Sequence, residues 1–167
     1  MRHILMITLV AFLLTACSGG GDKKTVTSRS EQELLSSYLA YHQKKDLDGI
    51  LSLFYRQDTP PFVIDSVKKR TQKNFDYTIA SAKIEEISPE KLKTVMAGLP
   101  FNGKTLIPNL TPTKQISIRY EQTGQSGENG EMRAAGATIM LGRIDNVCYF
   151  VLSKVQESGT KIDLDAK

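Results

Sequence analysis

The spacing of apolar residues changes once along this chain, near Asp76, and that change confines it to helices first and strands second. Ahead of Asp76 the apolar positions recur every three or four residues, the repeat of one helix face. They run Leu34, Leu35, Tyr38, Leu39 and His42, then Leu47, Ile50, Leu51 and Phe54, then Ile64, Val67, Thr71 and Phe75. Behind Asp76 the repeat is two. It is cleanest over residues 115–121, where Ile116, Ile118 and Tyr120 fall on one face and Ser117 and Arg119 on the other. A segment patterned for one period exposes its apolar residues if it adopts the other. The expectation is therefore an α+β fold with N-terminal helices packed on a curved antiparallel sheet.

Local signals place the ends of these elements. Ser30 with Glu33 predicts a capping box and a helix running to Lys45, and Asp46 predicts the cap of a second, short helix. Thr59 ahead of Pro60 and Pro61 predicts the start of a third. On that helix Lys68, Lys69, Arg70 and Lys73 point outward as a solvated face, with contact to anionic headgroups or an acidic partner as the alternative. Tyr77, Ile79, Ile84 and Ile87 predict a strand with a register break. Ser88-Pro89 followed by Leu92, Val95 and Met96 predicts a short helix ending near Gly98, with a strand over 93–97 as the alternative. Residues 122–130 read as a polar hairpin loop, after which strands at 133–141 and 147–155, joined around Ile144-Asp145-Asn146, complete an antiparallel meander. One domain over 29–156 and a polar tail over 157–167 account for the body of the chain.

Composition excludes several classes. With 22 Lys and Arg against 18 Asp and Glu, a formal +4, no strongly basic nucleic-acid-binding face is expected. Two cysteines cannot build a disulfide-dense scaffold, and two histidines cannot supply a His-rich cage, so neither metal nor cofactor is expected.

The N-terminus carries an address. Arg2 and His3 precede an apolar run over residues 4–14, broken only by Thr8, which is the core of a signal peptide. The run is too short to cross a bilayer, which takes about 20 apolar residues. Leu14-Thr15-Ala16-Cys17 then resembles the bacterial lipoprotein signal. That resemblance implies cleavage before Cys17, diacylglycerol on its thiol and acylation of its freed amine. It divides the start of the chain into a signal peptide over 1–16 and a lipidated cysteine with its tether over 17–28. The composition fits, because Ser18-Gly19-Gly20-Gly21-Asp22-Lys23-Lys24 offers Cys17 no core to be buried in. A Gly-rich tether over 18–27 has an r.m.s. reach of about 17 Å, which keeps the domain close above the headgroups. Ser18 rather than Asp after the cysteine implies, for a Gram-negative bacterium, the outer membrane with the domain facing the periplasm.

The stretch from Tyr38 to Phe54, with Asp46-Leu47-Asp48 between two helices, resembles the opening of the nuclear transport factor 2-like, or cystatin-like, fold. Asn146-Val147-Cys148-Tyr149-Phe150-Val151 is similar to its closing strand. The resemblance implies a cone-like sheet around a pocket, with residues 88–112 as an insertion. Its pocket candidates are Tyr38, His42, Tyr77, Arg119, Tyr120 and Tyr149. His42 with Asp46 four residues on is the candidate acid–base pair by helical spacing, and the resemblance adds Asp76 as a further candidate catalytic position. A partly buried structural histidine is the plainer use of the same ring.

Gly98-Leu99-Pro100-Phe101-Asn102-Gly103-Lys104-Thr105 matches the phosphate-binding loop pattern in Gly98, Gly103, Lys104 and Thr105. That loop needs a helix starting at its lysine, and Pro108 and Pro112 forbid one, so a chance match is expected, with Asn102-Gly103 making a tight turn. Cys148, in an apolar run, reads as a buried small hydrophobe, and the sequon Asn109-Leu110-Thr111 as idle. Two functions follow as expectations. The first is a non-enzymatic, membrane-anchored envelope protein that binds a small apolar ligand, a peptide or an envelope partner. The second is a small envelope isomerase or hydrolase on the same fold.

Overall fold

The computed structural model describes residues 28–121 and 136–156. The expected signal peptide, Cys17 and residues 18–27 of the expected tether, the expected loop over 122–130, the start of the strand expected at 133 and the expected tail over 157–167 lie outside the described residues.

Three helices come first. In α1 (Glu31–Gln43) the Ser30 hydroxyl accepts the Glu33 N–H and the Glu33 carboxylate accepts the Ser30 N–H, which is the expected capping box. The chain leaves α1 through Lys45 at φ 53, and the Asp46 carboxylate accepts the Gly49 N–H at 2.8 Å to open α2 (Leu47–Ser52). Helix α3 (Pro61–Asn74) is capped by Pro60 rather than Thr59. A residue that precedes proline is pushed to extended backbone, so Pro60, ahead of Pro61, cannot join the helix.

The strands β1 (Ile79–Glu86), β4 (Pro112–Tyr120), β5 (Gly136–Ile144) and β6 (Val147–Phe150) form an antiparallel sheet in the order β1-β4-β5-β6. The register shifts between Ile79 and Ser81, the break read from the sequence. The stretch between Ser88 and Gly98 is a helix, α4 (Pro89–Ala97), not a strand. A second, three-stranded sheet was not anticipated: β2 (Leu99–Phe101), β3 (Lys104–Pro108) and β7 (Ser153–Val155), in the order β2-β3-β7. The strand expected over 147–155 is thus two strands belonging to different sheets.

Asn109 makes that break. Its backbone N–H donates to the Leu152 carbonyl at 2.9 Å, and its Oδ1 accepts the Leu152 N–H at 3.0 Å. Its Nδ2 donates to the Tyr55 carbonyl at 2.7 Å and to the Thr59 hydroxyl at 2.9 Å. One side chain therefore ties the β3–β4 link, the α2–α3 link and the β6–β7 link together. Leu152 can no longer bond to β5, although its neighbour Val151 still donates to Met140.

The core lies between the helices and the four-stranded sheet. Leu34, Leu35 and Tyr38 of α1 and Ile50 and Leu53 of the α2 region meet Ile116, Ile118, Tyr120, Leu141, Cys148 and Phe150. Phe150 sits at its centre, edge-to-face with Tyr38 at 5.6 Å and with Phe54 at 5.1 Å. Burying a ring of this size stabilises the fold by about 2–3 kcal/mol. The free edge of β6 is covered by short parallel bridges from Arg29 to Val147 and from Phe54 to Phe150.

Candidate functional site

Four of the six pocket candidates converge. His42, at the end of α1, is 7% exposed, and its Nε2 lies 3.0 Å from the Asn74 carbonyl at the end of α3. The ring rests between Tyr38 at 5.9 Å and Phe75 at 5.6 Å. Burial holds the imidazole pKa below its ordinary value, against the opposing pull of the Asn74 carbonyl, and Lys45 lowers it further. Burial pushes the phenol pKa values of Tyr38 and Tyr120 up. The Tyr120 hydroxyl is buried without a hydrogen bond of standard geometry, although the Tyr38 hydroxyl and the Asn74 side chain lie beside it. The Tyr77 ring packs on Tyr120 at 5.3 Å.

The acid–base pair does not assemble. The Asp46 carboxylate caps α2, and the His42 ring turns to a backbone carbonyl instead, because the αR residue Lys44 and the left-handed Lys45 reverse the chain between them. Asp76 is exposed in the turn between α3 and β1. Arg119 is exposed on the far face of β4, where the alternation puts it. Tyr149 lies elsewhere, 5.7 Å from Tyr55, with the Arg29 guanidinium 4.8 Å above its ring and Arg29 Nε donating to the Cys148 carbonyl at 2.8 Å.

The converging aromatics fill space rather than line a chamber. Beside them runs an open groove of about 540 Å³, bounded by Leu39, His42, Lys45, Phe75 and Tyr77 and by residues 78–82 of the β1 edge. Among the described residues no Asp or Glu lines it. Consecutive strand residues point to opposite faces, so a groove that touches all of 78–82 follows the backbone edge.

The phosphate-loop pattern is geometry alone. Gly98 ends α4 at φ 81 and ψ 177, a conformation that only glycine adopts readily. Asn102 at φ 48 and Gly103 at φ 73 make the tight turn between β2 and β3. Lys104 and Thr105 open a strand, so no helix N-terminus faces a phosphate there. Cys148 is fully buried, and burial raises its thiol pKa. Among the described residues no group of three or more His, Cys, Asp or Glu could hold a metal ion, and no helix is long and apolar enough to cross a membrane.

A second surface was missed. Phe62, Leu99 and Phe101 are 41%, 69% and 45% exposed, the large apolar residues that the fold leaves in solvent. Phe62 and Phe101 stack at 5.1 Å with planes 9° apart. With Ser66, Lys104, Leu106 and Val155 they bound a groove of about 430 Å³. The sequence signal was Leu99 and Phe101 alternating around Pro100 just ahead of an Asn-Gly turn, a hairpin tip with its apolar side unclaimed. No family model, no curated protein and no solved structure matches the chain.

Proposed function

We propose that this protein is a lipid-anchored component of the bacterial cell envelope, held to its membrane by acyl chains on Cys17, and that its domain is a non-enzymatic binding or interaction module. In a Gram-negative source, Ser18 directs it to the outer membrane, facing the periplasm. Its partner is an envelope protein, a peptide or a small apolar ligand. The observation that carries this reading is the filled interior. Leu34, Tyr38, Leu53, Ile118 and Phe150 occupy the space between helices and sheet that a ligand chamber needs. The groove beside the His42 cluster opens outward, toward a partner.

The finer fold reading is a nuclear transport factor 2-like cone. Three helices precede the sheet, α1 packs on both edge strands β1 and β6, and β1 reaches its neighbour β4 only after the excursion through α4, β2 and β3. These features support the resemblance, with residues 88–112 as the insertion. The enzyme reading needs His42 and a carboxylate in one closed cavity, and here Asp46 and Asp76 stand apart from the ring.

The test of the anchor is Cys17→Ala. The unaltered protein should incorporate labelled fatty acid and fractionate with membranes, and the variant should do neither. Equal labelling of the two would sink the reading.

A further inference from the structure

We propose that the face carrying Phe62, Leu99 and Phe101 rests on an anionic phospholipid surface, so that the tethered domain lies against the membrane that anchors it. The location of that surface rests on the lipid-anchor reading; the contact itself is argued from the fold. Leu99 and Phe101 are alternate residues of β2 and share a face. Leu99 lies across from Leu106, Leu106 across from Val155, and Phe101 across from Lys104, so the apolar row continues over all three strands. Phe62 of α3 stacks on the end of this face.

Charge selects the partner. Phe62, Ser66, Lys69 and Lys73 follow one another on α3 at four-, three- and four-residue spacing and so share one helix face, and all four are exposed. Val67 and Thr71, on the opposite side, turn inward. The helix thus presents a phenyl ring at one end and two ammonium groups beyond it, and Lys104 adds a third from the hairpin. Among the described residues no carboxylate lines the groove. The nearest one on α3, Asp65, is paired with Lys68 at 3.6 Å. Apolar tips flanked by lysines suit the boundary between acyl chains and negative headgroups. The β2 edge carries Pro100, which blunts strand addition by a second copy of the chain.

The tether makes a weak contact sufficient. Three half-exposed side chains do not hold a free protein on a bilayer. An acyl anchor on Cys17 would hold the domain beside its bilayer and so convert that contact into an intramolecular event.

The chain contains no Trp, so Phe101→Trp places one fluorophore in the patch, and Leu99→Trp, at the most exposed position, gives a second reporter should the first perturb folding. A chain beginning at Cys17 keeps every described residue. Because Cys148 is fully buried, it takes a maleimide lipid at Cys17 alone. It is tethered in this way to vesicles of equal parts phosphatidylglycerol and phosphatidylcholine. Emission should then shift to the blue and be quenched by acyl-brominated lipid. Quenching should fall at least about threefold on pure phosphatidylcholine, or when Lys69, Lys73 and Lys104 are all changed to Gln. Unshifted, unquenched emission would overturn the proposal. So would quenching indifferent to lipid charge, or a blue shift that grows with protein concentration without vesicles, the mark of a second copy covering the patch. Since the tether is made chemically, absence of acylation in cells sinks the anchor reading alone, and an unshifted, unquenched reporter sinks this one alone.

Discussion

Asn109→Ala should be the most costly single change outside the apolar core. The side chain donates to the Tyr55 carbonyl and the Thr59 hydroxyl and accepts the Leu152 N–H. Each such bond contributes about 1 kcal/mol net, and partly buried backbone groups left without partners add their own desolvation, so the loss is about 2–3 kcal/mol. For a domain of this size that lowers Tm by roughly 5–10 °C. Urea unfolding followed by circular dichroism measures it, with an unchanged slope expected because the compact state is the same. Asn109→Asp separates donor from acceptor. The new carboxyl keeps the acceptor for Leu152 but turns an oxygen toward the Tyr55 carbonyl, which raises its pKa in the folded state. That variant should recover stability as pH falls through the raised folded value toward the ordinary carboxyl value, where the protonated oxygen donates again, and lose it as pH rises. A destabilisation by Ala under about 0.5 kcal/mol would refute the claim that Asn109 fastens the two sheets.

Two further outcomes test the buried groups. His42 has a folded pKa below its ordinary value, so the unfolded chain binds a proton first and stability should fall as pH drops from about 6.5 through the lower folded value. His42→Gln, which can still donate to the Asn74 carbonyl, should flatten that part of the Tm-against-pH curve, and equal slopes for the two proteins would remove burial as the cause. Cys148 should react with a thiol reagent only in denaturant, and native labelling at a comparable rate would contradict its complete burial.

The first half of the fold is legible because its signals are local. The Ser30–Glu33 box, the Asp46 cap and the Asn102-Gly103 turn each lie within four residues, and each is where the sequence puts it. Binary pattern likewise gives the faces of β4, where Ile116, Ile118 and Tyr120 are buried and Arg119 is not. The convergence of Tyr38, His42, Tyr77 and Tyr120 follows from those faces. The candidate pairing of His42 with Asp46 does not form because helical spacing holds only while the helix continues, and Lys45 at φ 53 ends it between them.

The second sheet was hidden for a different reason. Its outer strands are three residues long, and no turn residue separates Phe150 from Ser153, so the local pattern reads one strand across the break. What divides it is a residue more than forty positions away in sequence, Asn109, whose side-chain oxygen accepts the Leu152 N–H and whose backbone N–H donates to the Leu152 carbonyl. Once β7 is peeled from the main sheet it pairs with β3, and the β2–β3 hairpin is carried out over the start of α3. The stacking of Phe101 on Phe62, and with it the open apolar face, is therefore a consequence of the same three-way fastening. A variant that loosens Asn109 should disturb the Phe62–Phe101 surface before it disturbs the Phe150 core, because among the described residues that core draws on the helices and the four-stranded sheet and on no residue of β2, β3 or β7.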